Sequence, residues 1–451
     1  KSSMAFFLEG LQDNDRASDF SQVEKRKLWN ALSKFYLTDS EWKPETEKLL
    51  KTAYEVHSDE PISHAVTQAL YGTVLENSVT RLERFAACAY AHYLNYGLRL
   101  KERQLLEFAS VDMGNIYHDA LEHFSRRVEK SEYTWFNIPE DVQETFIEES
   151  MNDAIAGCKN AGAFENVRNR YLTGRMRQTI KRTVWALTTQ IQKGKFVPSD
   201  FEVSFSRADK LDAIRFQLSD EEKMNLLGRI DRVDTYETSD KVYVKIIDYK
   251  SGNTSFSLVN LYHGLQLQLV VYMNAALELE EKRHPGKKAE PAGIFYYHIQ
   301  NPIVDGLGNE TEAEIRNSVL EQLKLNGLVN DDPEIYEAMD SDFAGNSSVI
   351  PIGKKTDGGL KATSKVASTY DFSVMSDYVQ EKIKETGKKI FAGDISIHPY
   401  SLDGKSGCDY CPYHTVCGFD TRMPGYSYHK LEKFDSADEI LKRMENEKQE
   451  Q

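Results

Sequence analysis

Residues 226–272 constrain this chain more than any other stretch. They contain Gly228-Arg-Ile-Asp231-Arg, then Ile247-Asp248-Tyr249-Lys250-Ser-Gly252, then Gln266-Leu-Gln268-Leu-Val-Val-Tyr272. In residues 242–250, alternation places Val242, Val244, Ile246, Asp248 and Lys250 on one face of a strand. The apolar members anchor that face in a core, so Asp248 and Lys250 emerge together where the strand leaves it. Asp231, near the middle of the preceding strand, is predicted to lie opposite Asp248 in a hairpin. Carboxylates brought this close repel each other unless a cation sits between them, and hard oxygen donors suit Mg²⁺. The expected chemistry is phosphodiester hydrolysis. Asp231, Asp248 and the Tyr249 carbonyl would hold the cation that activates water, and Lys250 would orient that water and stabilise the developing charge. An isolated Asp-x-Lys is a common exposed turn. Its weight here comes from the Gly-x-x-Asp strand before it and the Gln-x-x-x-Tyr helix after it, where Gln268 and Tyr272 lie one turn apart, suited to holding Lys250 or a DNA backbone.

The surrounding pattern predicts an α/β fold of mixed α+β type, a small mixed sheet flanked by helices. Residues 1–76 read as helical, with apolar residues at three-to-four spacing and no strand signal. Residues 77–300 carry leading helices and the catalytic core. Ser78-Val-Thr80-Arg-Leu-Glu83 has the form of a capping box, and a later helix carries Gly114 and His118. A lone helical histidine is more often structural, but its place upstream of the strand pair marks His118 as a metal ligand or phosphate contact. Glu202, on a short strand, is a further candidate carboxylate. Residues 301–371 are polar and weakly periodic, and are expected to form an insertion. Residues 372–425 supply a closing helix and a cysteine-rich loop, and 426–451 a charged, fraying tail.

The net charge is −15, yet a basic stripe on an acidic protein can still hold phosphates. Residues 167–199 carry Arg168, Arg170, Arg175, Arg177, Lys181, Arg182, Lys193 and Lys195 without one Asp or Glu. Arg168, Arg175 and Arg182 stack along one side of a helix. A solvated face is the plain alternative; the missing acids favour a DNA-facing helix, with Arg168, Arg175, Arg177 and Arg182 as its contacts. Gly404-Lys405-Ser406 imitates the end of a phosphate-binding loop, but lacks its strand–helix context. No apolar run approaches the ~18 residues of a membrane span, no secretory signal is evident, and no membrane partner is expected. The chain starts at Lys1 rather than Met, consistent with a piece of a longer polypeptide.

Five cysteines do not suggest a disulfide framework. Cys408, Cys411 and Cys417 fall within ten residues, one thiol short of a four-cysteine site, and Cys88 is the candidate fourth. A local zinc site of Cys408, Cys411, His414 and Cys417 is the rival. Cys158 is read as structural.

The order Gly-x-x-x-His, Gly-x-x-Asp, Asp-x-Lys, Gln-x-x-x-Tyr resembles the RecB-like branch of the PD-(D/E)xK nuclease superfamily. That resemblance implies a restriction-endonuclease-like core with His118, Asp231, Asp248 and Lys250 as the catalytic set, completed by Gln268 and Tyr272. It implies Mg²⁺ held by His118, Asp231, Asp248 and Tyr249. One cysteine ahead of the core and Cys-x-x-Cys-x₅-Cys behind it is similar to the [4Fe–4S] staple of that branch, formed here by Cys88, Cys408, Cys411 and Cys417. Leu70-Tyr-Gly72, Ser78-Val-Thr-Arg-Leu-Glu83 and Cys88-Ala-Tyr-Ala-His-Tyr-Leu-Asn-Tyr resemble the AddB family of bacterial helicase–nuclease subunits, from about residue 70 to 425. Ala89 departs from the proline frequent there, at a position that is no ligand. The resemblance further implies an AddA-type helicase–nuclease subunit as heterodimer partner and a cytoplasmic location. It also implies an exonuclease that resects double-strand breaks, cutting the DNA strand fed 5′ end first. Residues 1–70 would be the end of a helicase-like part. A stand-alone four-cysteine exonuclease is usually much shorter. A catalytically silent DNA-end scaffold fits poorly with intact Asp231, Asp248 and Lys250.

Overall fold

A computed structural model describes residues 4, 7, 22–54, 58–102, 110–158, 167–205, 214–304, 310–341 and 343–449. The chain divides into two compact units, one of Lys1–Asp59 with Gly418–Tyr428, the other of Glu60–Cys417 with His429–Gln451. In the smaller unit the helices Gln22–Thr38 and Lys43–Tyr54 follow one another, and Phe7 and Tyr36 sit in a buried cluster bordered by Trp29 and Leu32.

The larger unit is organised by an eight-stranded mixed sheet. Its strands are β1 (Val74–Ser78), β2 (Val197–Phe205), β3 (Ile214–Gln217), β4 (Lys223–Glu237), β5 (Lys241–Lys250), β6 (Lys288–His298), β7 (Asn326–Asn330) and β8 (Val366–Ala367). The order is β1-β4-β5-β6-β7-β8, with β2 and β3 also paired to β4. The helices that matter for the site are α1 (Val79–Ala87), α2 (Ser110–Lys130), α3 (Glu140–Gly157), α4 (Val167–Gln192), α5 (Gln268–Arg283), α6 (Thr369–Phe391) and α7 (Ala437–Gln449).

The long strand β4 changes partners half-way. Its first half lies between β1, parallel, and β3, antiparallel; its second half pairs antiparallel with β2 and β5. Gly228 is at the changeover, opposite Phe205, and a Cβ there would fall 2.2 Å from the Phe205 ring. The glycine of Gly-x-x-Asp is therefore needed for a close cross-strand approach. From β5 the chain crosses through α5 to the parallel strand β6, and such a crossover takes a helix to span it.

β5 is buried on both faces. Val244 and Ile246 join a core shared with α1, α5 and α6, whereas Tyr243, Ile247 and Tyr249 join one shared with α2, α3 and α4. Helices cover both faces of the sheet, as the mixed α/β expectation requires.

Four local expectations need correction. Residues 74–78 are a strand inside a region read as wholly helical. The stretch 301–371 is not a detachable insertion: β7 extends the sheet antiparallel to β6, β8 pairs parallel with β7, and Leu328 and Val329 are buried. The charged tail is not loose throughout, because Ile440 and Met444, one turn apart on α7, are buried in the core that includes α6. Ser78 begins α1 without a side-chain cap, and Glu83 of the expected capping box is used elsewhere.

Candidate active site

Where β4 and β5 emerge from the core, a cleft of about 630 Å³ opens, lined by Asp112, Asn115, His118, Asp231, Asp248 and Lys250 among others. Asp231 and Asp248 follow the β4–β5 register one step past Arg232↔Ile247, so the two carboxylates face each other across the hairpin. The Tyr249 N–H donates to Asp231 Oδ2 at 2.8 Å, which ties the side chain of one strand to the backbone of the other. Lys250 Nζ stands 2.6 Å from Asp248 Oδ2, off the hydrogen-bond line, so that buried oxygen has no hydrogen-bond donor. The ammonium donates to Gln268 Oε1 at 3.0 Å, and the Gln268 amide donates to the Tyr272 hydroxyl at 3.0 Å. The Phe205 ring that covers Gly228 packs edge-on against Tyr272. Gly228 thereby reaches the lysine through Phe205, Tyr272 and Gln268.

Helix α2 closes the other wall. His118 Nδ1 lies 3.3 Å from Asp231 Oδ2 and 3.8 Å from Glu202 Oε1. Gly114, one turn earlier, would place a Cβ 3.3 Å from Ser251 Oγ, which explains why a small residue is used where α2 approaches the end of β5. Glu202 itself has φ 51°, a left-handed backbone that a glutamate rarely adopts and that surrounding structure must enforce. Its side chain is 6% exposed, Arg229 Nε is 2.6 Å from its Oε2, and that oxygen too has no aligned donor.

The electrostatics set this cluster apart. Burial and the neighbouring Asp231 push Asp248 up to about 7, against the pull of Lys250. Burial raises Glu202 as well. Burial would lower His118, but hydrogen bonds and attraction from Asp231 and Glu202 override it and lift the imidazole to about 10. The imidazole thus stands between two carboxylates that both favour its charged form. His118, Glu202 and Asp231 offer three ligand atoms within 4.8 Å of one another, the one such group among the described residues. Donorless buried carboxylate oxygens beside a histidine are suited to a hard divalent cation. Glu202 belongs to this group more tightly than Asp248, which is drawn to Lys250.

A family model described as the PD-(D/E)XK nuclease superfamily matches residues 76–418. The chain belongs to this superfamily. It is also similar to proteins named as the B-type subunit of an ATP-dependent helicase/deoxyribonuclease. It is 36% identical to that of Lachnoclostridium phytofermentans over 90% of this chain and 35% of the relative. It is 34% identical to that of Clostridium tetani over 95% and 37%, and 33% identical to that of Alkaliphilus metalliredigens over 94% and 37%. The chain therefore spans little more than a third of the length of these relatives.

Within the superfamily fold, the residues expected at the site fall into three groups. His118, Asp231, Asp248, Tyr249, Lys250, Gln268 and Tyr272 line one cleft. Cys158, read as structural, lines the same cleft. Around the second group, Cys88 and Cys411 share a buried cluster with Ala91, Leu94 and Tyr413. Burial, with a smaller push from Cys411 and Cys408, raises the Cys88 thiol to about 11. Arg84 Nη2 approaches Cys411 Sγ at 3.6 Å, and Cys417 Sγ lies 3.6 Å from the His414 carbonyl. None of the five cysteines is in a disulfide. Among the described residues, no set of these thiols with His414 lies within reach of a single ion.

The basic stripe is the third group, and here the expectation of uncompensated charge is corrected. Arg177 Nη1 bonds Glu148 and its Nη2 bonds Asn152, while Lys181 lies 3.6 Å from both Glu144 and Glu148. The acids missing from α4 come from α3, packed beside it. Arg182 lies over the Trp185 ring at 5.2 Å. Arg175 is exposed, and the Arg168 side chain lies outside the described residues.

Two relevant residues escaped the sequence reading. Glu83 accepts the backbone N–H groups of Leu267 and Gln268, at 2.8 and 3.2 Å. Tyr296 on β6 lies under Lys250, with Nζ 5.2 Å from the ring centre. Glu83 is expected only in a capping box of its own helix and Tyr296 in no motif, and only the fold brings them to the lysine.

Proposed function

We propose that this chain is the Mg²⁺-dependent deoxyribonuclease module of a bacterial helicase–nuclease, acting as an exonuclease on the strand fed to it from a double-strand break. The observation that carries the reading is the convergence of Asp231 and Glu202 on His118, with Asp248 opposite Asp231 and Lys250 clamped beside it by Gln268. His118, Asp231, Asp248 and the Tyr249 main chain, with Glu202 added, are the proposed cation holders. Bound there, the cation supplies polarisation of a phosphate oxygen and acidity to a water. Lys250 has three donors; Gln268 takes one and Asp248 attracts another, leaving one for a water or a phosphate oxygen. Fixed in this way, it meets charge as it develops without reorganising.

The relatives' names support DNA as substrate and a partner subunit, here proposed to be an AddA-type helicase–nuclease. Their greater length supports a further part of the protein in which an ATP-driven motor resides. Cleavage of the 5′-ended strand rests on resemblance alone. Exposed Arg175 is retained as a backbone contact, with Arg168 and Arg182 beside it on α4; paired Arg177 is the weakest of the four. We also propose that Cys88, Cys408, Cys411 and Cys417 hold a [4Fe–4S] cluster. Cys88 lies close enough to Cys408 and Cys411 for each to act on its thiol, and cysteines gathered in this way are the ligand type that such a cluster takes. Held there, the cluster would clasp the two ends of the nuclease segment.

End-labelled single strands with Mg²⁺ or EDTA test the first proposal: cleavage with Mg²⁺ and none with EDTA is expected, and metal-independent cleavage would overturn it. Iron and sulfide assay with a visible spectrum tests the second; a colourless protein holding one zinc ion would refute it.

A further inference from the structure

Helix α5 carries Gln268, the residue that fixes Lys250, in its first turn. The first N–H groups of a helix have no partner within it and need a cap. The residue in the cap position, Leu267, has no side chain able to accept a hydrogen bond. The acceptor arrives instead from far along the chain. Oε1 of Glu83, 184 positions away, takes the N–H of Leu267 at 2.8 Å and that of Gln268 at 3.2 Å. A carboxylate at this end of a helix also meets the positive pole of the helix dipole.

Glu83 belongs to α1, which ends directly before Cys88. The next residue, Arg84, points to Cys411, 327 positions away. The backbone beside this helix end is tightly packed: a Cβ on Gly407, just ahead of Cys408, would fall 2.5 Å from the Ala87 carbonyl. One short helix thus touches the cysteine group through its last turn and the lysine clamp through Glu83.

The geometry points to Glu83 as a positioning residue for the nuclease: it fixes the first turn of α5, hence Gln268 and Lys250, and ties their placement to the cysteine-bearing segment. This inference rests on the proposed role of Lys250. A carboxylate without the Gln268 link would be an ordinary helix cap; with it, any tilt of α1 is transmitted to the reacting end of the lysine.

The test compares Glu83→Ala and Glu83→Gln in the full-length protein. Glutamine keeps one acceptor oxygen, so it should rescue what alanine loses. Glu83→Ala is expected to lower kcat on end-labelled single strands by about 10- to 100-fold, as sub-ångström misplacement can, with KM for DNA unchanged within about twofold. Glu83→Gln should stay within about threefold of the parent, because the hydrogen-bond geometry survives. In the Lys250→Ala background, Glu83→Ala should add nothing. Hydrogen exchange of residues 265–272 reads the cap without reference to activity: the Leu267 and Gln268 amides should lose protection in Glu83→Ala and keep it in Glu83→Gln. Unchanged exchange, a glutamine variant as slow as alanine, an effect confined to KM, or a further loss in the Lys250→Ala background would each overturn the proposal. If Lys250→Ala itself cleaves normally while the exchange pattern appears as expected, the cap stands, but the coupling to catalysis and the role given to Lys250 both fall.

Discussion

The two faces of the β4–β5 hairpin carry the same kinds of residue and treat them oppositely. On the back face Asp234, with no exposed surface, is held by Arg232 through Nε–Oδ1 at 2.6 Å and Nη2–Oδ2 at 2.8 Å, and by Lys245 at 2.8 Å. Arg232 lies over Trp135 and Lys245 over Phe196. Burial alone would raise Asp234, but the two cations hold it below its usual range. On the front face Asp248 is just as enclosed, faces a second carboxylate, has one lysine off-axis, and is pushed up to about 7. A balanced buried charge is a device for holding strands together. An unbalanced one is a cost that the fold carries for function.

Replacing Asp248 by Ala should have the largest effect, lowering Mg²⁺-dependent cleavage by about 10³-fold or more while DNA binding persists; undiminished cleavage would move the active site elsewhere. The same front-face charge should be a burden on the fold. A carboxyl whose native pKa lies above its unfolded one destabilises the folded protein fully above about pH 7 and less as pH falls toward 4. Asp248→Asn in EDTA should therefore unfold at a higher temperature than the parent at pH 8, with the gap closing by pH 4.

The back face should behave in reverse. Asp234→Ala leaves two buried cations unpartnered and should cost about 3–5 kcal/mol by denaturant midpoint, a loss seen before any specific effect on catalysis. Gln268→Leu, which frees Lys250 while keeping the helix apolar, should lower kcat about tenfold with little change in unfolding temperature. The smallest effects belong to α4. Arg175→Ala should weaken DNA binding and reduce the slope of log K against log salt by about one, whereas the paired Arg177→Ala should leave that slope nearly unchanged.

How far the sequence reached depended on whether a signal was local. The alternation in 242–250 put Asp248 and Lys250 on one side because strand period depends only on neighbours, and Lys250–Gln268–Tyr272 followed from strand, loop and helix in succession. What was missed lies between elements distant in sequence. The acids that neutralise Arg177 and Lys181 are on another helix, so a stripe without acids looked unopposed. Glu83 sits in a plausible capping box but caps a different helix. Leu328 and Val329 form too short an apolar run to announce β7 amid polar residues, and Ile440 and Met444 are two apolar positions in a charged helix. The φ of Glu202 has no sequence signal at all, because nothing in the residue type demands it.

The turn that joins β4 to β5 is short and tied, with the Thr238 N–H donating to the Lys241 carbonyl at 2.9 Å. Because alternate residues of β5 belong to different cores, a one-residue slip of its register against β4 would exchange the faces along the strand. The Tyr249 ring would then leave the core it shares with α2, α3 and α4, and the Asp248 carboxylate would take its place among the aromatic residues there. A change in the length of this turn is therefore compatible with the cleft only where a longer turn or a bulge absorbs it and leaves that register in place.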